Sequence, residues 1–303
     1  MTAETTNQAR GRGIARTLTG AVSLMRPRQW VKNVFVFAPV FFTPAMMSAR
    51  SIWSVFLVFV CFCCISSGVY CFNDLRDRES DKNHPKKRLR PLPSGRVTAG
   101  AAVALGSVLM ASGFGLALSM VPAAAPVMLL YVVINVAYSV ALKNIAIVDV
   151  LIISFGFVLR VYGGAAVIGV VPTPWIQICA GLLALFIALA KRRDDVVLEI
   201  STEHRISLSG YTRLFLDVCI GVTLSALLVS YMIFTLNDEA MTRLGSNRLF
   251  LTVPFVIAGI FRYLQLTLVF ERSGSPTELV FKDGFLTATV AGWLLVYAYL
   301  IYL

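Results

Sequence analysis

Residues 51–72 read SIWSVFLVFVCFCCISSGVYCF, and residues 73–96 continue as NDLRDRESDKNHPKKRLRPLPSGR. The first part is apolar and long enough to cross the hydrocarbon core of a bilayer, which takes about 20 residues. The second part follows without a gap and concentrates charge in an otherwise apolar chain. The sequence therefore predicts a membrane-spanning helix that runs directly into a charged segment.

Oxygen-bearing side chains recur at a fixed interval at the start of this charged segment. Asn73, Asp77 and Asp81 are four residues apart, so in a helix they project from one face, about one turn apart. Hard oxygen ligands suit Mg²⁺, which is usually shared between a few carboxylates and the phosphate oxygens of a substrate. We therefore predict that these three residues hold Mg²⁺ and that Asp77 and Asp81 are catalytic.

Basic residues follow on a stretch interrupted by prolines. Lys86 and Arg88 are predicted to bend back over the phosphate of a substrate bound to the metal. The alternative is a solvated tether, because Lys- and Arg-rich cytoplasmic loops are expected in any membrane protein. Carboxylates at strict four-residue spacing are not typical of such a tether, and they favour a diphosphate site.

Composition places the chain among polytopic membrane proteins. Its 303 residues are 57% hydrophobic and only 14% charged, whereas charged residues make up about a quarter of a soluble domain. The net charge of +11 does not indicate nucleic acid, because the Lys and Arg residues lie in short loops beside apolar spans. The six cysteines lie in apolar runs, which is typical of reduced, buried thiols. With only His84 and His204, a histidine metal cluster is excluded.

The hydropathy pattern predicts an all-α fold, a single bundle of nine transmembrane helices with charged cytoplasmic loops. Residues 1–28 are predicted to form a cytoplasmic tail and residues 29–303 the catalytic membrane domain. The nine predicted spans are residues 30–48, 51–72, 98–121, 123–142, 146–170, 173–190, 210–236, 249–270 and 285–303.

The distribution of Lys and Arg predicts the orientation of the bundle. One side of the predicted bundle collects most of these residues, including the tail and the segment after Asn73, while the other side has only Arg50, Arg243 and Arg248. Because positive loops stay in the cytoplasm, the N-terminus is predicted inside and the C-terminus outside the plasma membrane.

A second charged cluster closes the predicted span 173–190 on the same cytoplasmic side. It reads Lys191-Arg192-Arg193-Asp194-Asp195, with Glu199 four residues later. Two clusters of mixed charge are therefore expected to face each other at one end of the bundle. A substrate or metal between them, or water alone, would be needed to balance their charge.

Further polar candidates lie in the predicted spans 123–142 and 146–170. Ionisable residues within spans usually point into the bundle or a cavity, and Arg160, with Tyr162 just beyond it, is predicted to bind an anion at the cavity floor. The alternative for Arg160 is a structural ion pair with an acid on another helix. Tyr138 and Lys143 flank a cytoplasmic helix end, where the lysine either reaches a phosphate or snorkels to the interface.

Taken together, these motifs resemble those of the UbiA superfamily of intramembrane prenyltransferases. The matching features are Asn73-Asp74-x-x-Asp77-x-x-x-Asp81, the Tyr138-x-x-x-x-Lys143 element and a charged motif after the sixth predicted span. The resemblance implies a diphosphate held through Mg²⁺ between the two charged motifs, in a cavity that opens laterally to lipid. It also implies that Asn73, Asp77 and Asp81 are the first motif.

Three segments are similar to a branch of that superfamily whose donor is 5-phosphoribosyl-1-diphosphate. They are Met25-Arg-Pro-Arg-Gln-Trp-Val-Lys-Asn33, Lys86-Lys-Arg-Leu-Arg-Pro91 and Lys191-Arg-Arg-Asp194. The last departs from the superfamily, in which ordinary members carry Asp-x-x-x-Asp. The departure puts a second metal site in doubt.

The resemblance implies transfer of a 5-phosphoribosyl group to a polyprenyl (decaprenyl) phosphate, a step toward cell-wall arabinan precursors. Such a reaction holds several anions at once, and Lys86, Arg160, Lys191 and Arg192 are expected to balance them. Asp194 or Asp195 is expected to bind the ribose hydroxyls or to steady the cationic transition state, with both roles left open. The alternatives are an ordinary prenyltransferase with an aromatic or quinone-precursor acceptor and, more remotely, a membrane carrier without catalytic activity.

Overall fold

The computed structural model describes residues 18–83, 87–198, 206–271 and 276–303, and these residues form helices without strands. Eight helices are long and apolar enough to span a membrane. They confirm eight of the nine predicted spans and an all-α, multi-pass membrane fold. In chain order they are α1 (Ala49–Arg76), α2 (Ala99–Met120), α3 (Pro122–Val140), α4 (Val148–Val167), α5 (Pro174–Val197), α6 (Arg213–Thr235), α7 (Leu249–Val269) and α8 (Gly284–Tyr302).

The predicted span 30–48 is not one continuous α-helix. It consists of a 3₁₀-helix, Pro27–Phe37, a single α-helical turn, Ala38–Phe41, and a second 3₁₀ turn, Pro44–Met46. Pro39 and Pro44 have no amide hydrogen with which to continue an α-helical ladder. The first crossing is therefore divided into short helical pieces, whereas each of the other spans is a continuous helix.

This irregular segment nevertheless crosses the bundle. At one end Arg26 pairs with Asp74 in the last turn of α1. At the other end Thr43 accepts a hydrogen bond of 2.9 Å from Arg243, which lies in the short helix Asp238–Leu244 between α6 and α7. Together with the eight long helices, the segment makes nine crossings in the described part of the chain.

Close backbone approach explains why glycine occupies two positions in the bundle. A Cβ atom on Gly164 of α4 would lie 1.9 Å from the carbonyl oxygen of Val36 in the first crossing, and one on Gly113 of α2 would lie 2.7 Å from Ile65 of α1. No side chain fits at the first position without a shift of backbone. Glycine therefore allows the irregular first crossing to lie directly against α4.

Short helical elements lie beside α1 and α6 at the end of the bundle that carries the charged motifs. Arg78–Lys82 and the 3₁₀ turn Lys87–Leu89 follow α1, and Ile206–Gly210 precedes α6. The tail predicted over residues 1–28 is described only from residue 18. Residues 18–25 are helical, and Leu24 is buried in a small cluster with Leu92 and Val97. This part of the chain is thus packed against the segment that follows the first charged motif.

Candidate active site

The first motif keeps the predicted helical spacing across a small break. Helix α1 ends at Arg76, and a short helix begins at Arg78 after Asp77. The amides of Asp77 and Asp81 donate to the carbonyl oxygens of Asn73 and Asp77, at 2.9 and 2.8 Å, so the four-residue repeat continues. Asn73, Asp77 and Asp81, the acid row, therefore lie on successive turns of one face.

Cations and a hydroxyl contact every member of the acid row. Lys143 Nζ is 2.6 Å from Asp77 Oδ1, and Arg90 Nη1 is 2.7 Å from Asp81 Oδ2. The Ser139 hydroxyl donates to the side-chain oxygen of Asn73. Lys143 thus meets the carboxylate row directly, and Arg90 is a site residue that the sequence analysis missed.

The side-chain oxygens of the acid row are of the type that binds a hard divalent cation. Within the described residues there is no group of three Asp, Glu, His or Cys side chains with metal-binding geometry. The row supplies two carboxylates and an amide oxygen, which leaves other ligand positions to water or substrate oxygens. Mg²⁺ prefers such an incomplete protein site, because it keeps several waters and shares its remaining positions with phosphate.

Asp74 and Arg26 form an ion pair beside the acid row that the sequence analysis also missed. The Asp74 residue is 3% exposed and accepts from Arg26 and, at 3.3 Å, from Arg90. A carboxylate that is removed from water needs such partners. Arg90 contacts both Asp74 and Asp81. Because Asp74 is shared by Arg26 and Arg90, it links the start of the first crossing, α1 and the basic segment.

In the second cluster, both arginines are engaged in structural pairs. Arg192 Nε is 2.7 Å from Asp149 Oδ2 and Nη1 is 3.1 Å from Asp195 Oδ2, while Arg193 pairs with Asp217. The side chains of the two arginines are at most 2% exposed. Arg192, predicted to bind substrate, lies inside the bundle between acids, because its side chain leaves α5 toward α4.

Asp149 is the centre of this buried network. Its carboxylate is fully buried and accepts from Arg192, from the Tyr211 hydroxyl at 2.6 Å and from the Ser207 hydroxyl at 3.2 Å. Burial, followed by the hydrogen bond to Asp149, raises the pKa of the Tyr211 phenol well above its usual range. Tyr211 therefore stays protonated and remains a donor to Asp149.

The remaining members of the second cluster lie at the end of α5. Lys191 is exposed, and Asp194 and Asp195 are half-buried. Tyr138 at the end of α3 lies within electrostatic range of Arg192, and Lys143 just beyond it reaches Asp77. The end of α3 therefore lies near residues of both charged clusters.

Arg160 is buried, and its hydrogen-bond partners among the described residues are neutral. Its guanidinium donates to the Asn33 side chain at 2.7 Å, to the Gly156 carbonyl at 2.7 Å and to the Tyr131 hydroxyl at 3.1 Å, and it packs over aromatic rings that include Phe157. Of the ion pairs within 4.0 Å in the described residues, none involves Arg160. The arrangement differs from the structural ion pair that was the alternative.

The other predicted ligands are not gathered at the same place. Tyr162 follows Arg160 by two residues, which turns it to the far side of α4, and its hydroxyl donates to Gln177 at 2.8 Å. Arg88 is exposed on the segment after α1. Lys86 and Glu199 lie outside the described residues.

An apolar cavity of about 450 Å³ lies between the first crossing and helices α5 to α8. Its wall includes Phe35 from the first crossing, Phe186 from α5 and Trp293 from α8. Arg243 and Glu239, near the end opposite the acid row, also line it. A cavity of this size holds a drug-sized apolar ligand or a short part of a longer one.

Relatives with curated names match most of this chain. A decaprenyl-phosphate phosphoribosyltransferase from Corynebacterium glutamicum is 31% identical over 281 residues, which cover 90% of this chain and 84% of the relative. A protein of the same name from Mycolicibacterium smegmatis is 29% identical over 294 residues, 91% of each chain. A 4-hydroxybenzoate octaprenyltransferase from Vibrio parahaemolyticus is 42% identical, but over 71 residues that cover 23% of this chain and 25% of the relative.

Solved structures share the fold. A UbiA homologue from Archaeoglobus fulgidus, solved with GPP and Mg²⁺ bound, aligns with a TM-score of 0.69 at 18% identity and covers 92% of this chain and 97% of its own. A structure of the same homologue with DMAPP and Mg²⁺ gives a TM-score of 0.68. These neighbours bind a divalent metal. The model of the UbiA prenyltransferase family matches residues 34–289, and the chain belongs to this family.

Proposed function

We propose that this protein transfers the 5-phosphoribosyl group of 5-phosphoribosyl-1-diphosphate to a polyprenyl phosphate and releases diphosphate. The similarity along nine-tenths of the chain to relatives named decaprenyl-phosphate phosphoribosyltransferase carries the proposal. The enzyme is then a pentosyltransferase, and residues 29–303 act as one catalytic unit behind the tail over residues 1–28.

The acid row supports this function because it suits a metal-bound diphosphate. Asn73, Asp77 and Asp81 would hold Mg²⁺, which when bound neutralises the charge that grows on the departing diphosphate. Lys143 and Arg90 already contact the row and lie where phosphate oxygens would meet positive charge. Lys86 and Arg88 follow in the same segment and are proposed to contact the donor as well.

The reaction balances without a general base. A phosphate oxygen of the lipid attacks C1 of the ribose, the bond from C1 to the diphosphate oxygen breaks, and diphosphate leaves with the electron pair. No proton has to move, because a phosphate monoester is ionised at neutral pH. Asp194 and Asp195 are proposed to bind the ribose hydroxyls or to steady the cationic transition state, and Arg192 holds Asp195 in place.

The test is an assay of purified protein in detergent with Mg²⁺, radiolabelled phosphoribosyl diphosphate and decaprenyl phosphate. We expect label to enter the organic phase in proportion to enzyme, and not when Mg²⁺ is chelated. A parallel arm supplies a polyprenyl diphosphate with 4-hydroxybenzoate. Turnover in that arm alone would refute the proposal and identify an ordinary prenyltransferase.

We also propose that the acid row faces the cytoplasm and that the C-terminus lies outside the plasma membrane. The excess of Lys and Arg on the side of the row supports this orientation. In cells that express a variant without native cysteines, an impermeant maleimide is expected to label Ser246→Cys, between α6 and α7, from outside. Ser94→Cys, between α1 and α2, should react only after lysis. The reverse pattern would contradict the orientation.

A further inference from the structure

A strained turn joins the end of α3 to the start of α4. Ile147 has φ +70° and ψ −51°, and the amide of Val148 donates to the carbonyl oxygen of Ala146 at 2.9 Å. These dihedral angles and this hydrogen bond are those of a γ-turn of the strained, positive-φ kind. For a β-branched side chain a positive φ is exceptional. Backbone strain of this type persists only where neighbouring groups enforce it.

Two residues that precede α6 hold this turn in place. The Tyr211 hydroxyl accepts a hydrogen bond of 2.6 Å from the Ile147 amide and donates one of 2.6 Å to Asp149 Oδ1, and Tyr211 is buried. Gly210 lies so close that a Cβ atom on it would be 2.5 Å from the Cβ of Ala146. One hydroxyl group therefore fixes both the strained turn and the first turn of α4.

The turn at Ile147 lies next to a residue that contacts the acid row. Lys143, four residues before Ile147, is 2.6 Å from Asp77, and Asp149, two residues after Ile147, is held in the buried network. Because Asp149 anchors the start of α4, the γ-turn sets the direction in which the 3₁₀ turn Leu142–Asn144 leaves that helix. The position of Lys143 at the acid row therefore depends on the conformation of Ile147.

We propose that Tyr211 is a positioning residue for the acid row, and that it acts through the turn at Ile147 and then through Lys143. The inference rests on the proposed function, because it concerns the Mg²⁺ and diphosphate that the acid row would bind. Lys143 lies beside Asp77, where phosphate oxygens would meet its positive charge. Without the Tyr211 hydroxyl the strained turn relaxes, and binding of diphosphate then has to restore it, which lowers the apparent affinity.

The test measures binding of radiolabelled diphosphate, in the presence of Mg²⁺, to the purified protein in detergent. Tyr211→Phe keeps the ring and removes the hydroxyl, and the affinity is expected to fall about fivefold to thirtyfold, the population factor for backbone strain of this size. Tyr231→Phe is the matched control. Tyr231 is also buried and its hydroxyl also has two hydrogen-bond partners, but it lies twenty residues further along the chain, about 30 Å along a helix. Its loss of the hydroxyl should leave the affinity for diphosphate unchanged.

Two double variants separate positioning from a general loss of structure. Ile147→Gly, added to Tyr211→Phe, should restore most of the affinity because glycine adopts a positive φ without strain, whereas Ile147→Val should restore none. Tyr211→Phe in a Lys143→Gln background should cause no further loss, because the two residues act as one unit and their effects are not additive. An equal loss with and without Lys143 would overturn the inference, since Tyr211 would then act through Asp149 alone.

Gly210→Ala disturbs the same turn with the Tyr211 hydroxyl in place, and it serves as the test if Tyr211→Phe does not fold. Its methyl group would press on Ala146, so the affinity for diphosphate should fall when Lys143 is present and stay the same in Lys143→Gln. Gly221→Ala, in α6 with open space around the added methyl group, is its control. Unchanged affinity in Tyr211→Phe and Gly210→Ala would overturn the inference and leave the proposed function standing. Loss of affinity through Lys143, in a protein whose unmodified form transfers no phosphoribosyl group, would refute the proposed function and leave the positioning role standing.

Discussion

Asp77→Ala is expected to lower the rate of transfer by two to three orders of magnitude, roughly the effect of removing one group that stabilises transition-state charge. Asp77 is the central member of the acid row, and its loss removes a carboxylate from the proposed metal site. The fold should survive, because the Asp77 side chain is 34% exposed and its partner Lys143 is 25% exposed. An ion pair so close to water contributes little to stability.

Glu79→Gln is the matched control for this prediction. Glu79 lies two residues away, in the short helix that follows Asp77. Its side chain is 74% exposed and pairs with Lys82, so transfer should continue at the normal rate. Binding is measured as the rise in melting temperature that Mg²⁺ and diphosphate together produce. The rise should persist in Glu79→Gln and disappear in Asp77→Ala. Near-full activity in a folded Asp77→Ala protein would exclude the acid row as the metal site.

The parts of the fold that hydropathy predicts correctly are those governed by local sequence. A span is a run of apolar residues, and eight of the predicted spans are continuous helices. The first crossing fails this simple expectation because hydropathy does not report hydrogen-bond geometry. Pro39 and Pro44 were visible in the sequence, and they mark where the continuous helix is interrupted.

The difference between local and long-range contacts also separates the predicted residues of the candidate site from the missed ones. Asn73, Asp77 and Asp81 share a face through local helical spacing, which sequence alone predicts. Asp74 with Arg26, and Asp149 with Arg192, are brought together from 48 and 43 residues apart. Such pairs depend on which helices are neighbours. Without that knowledge Arg192 resembles a free anion ligand, whereas the fold uses it between two acids.

The buried network around Asp149 leads to the second large prediction. Asp149→Ala is expected to destabilise the protein by about 3–5 kcal/mol, the usual cost of leaving one partner of a buried ion pair without the other. Arg192 would keep only Asp195, at 3.1 Å, and the hydroxyls of Tyr211 and Ser207 would lose their acceptor. Thermal unfolding in detergent measures the loss, with Glu271→Gln as control. Glu271 pairs with Arg213 on the surface, where both side chains are at least 47% exposed, so its loss should leave the melting temperature unchanged.

A double variant separates buried charge from lost packing. Asp149→Leu with Arg192→Met removes both charges and fills similar volume, so it should recover most of the stability that Asp149→Ala loses. Transfer activity should stay low, because Asp195 then lacks the guanidinium that holds it at the end of α5. If the double variant were as unstable as Asp149→Ala, the unpaired charge of Arg192 would not be the cause. If it were stable and fully active, Arg192 would have no part in positioning Asp195, and the second cluster would act through Lys191 and Asp194 instead.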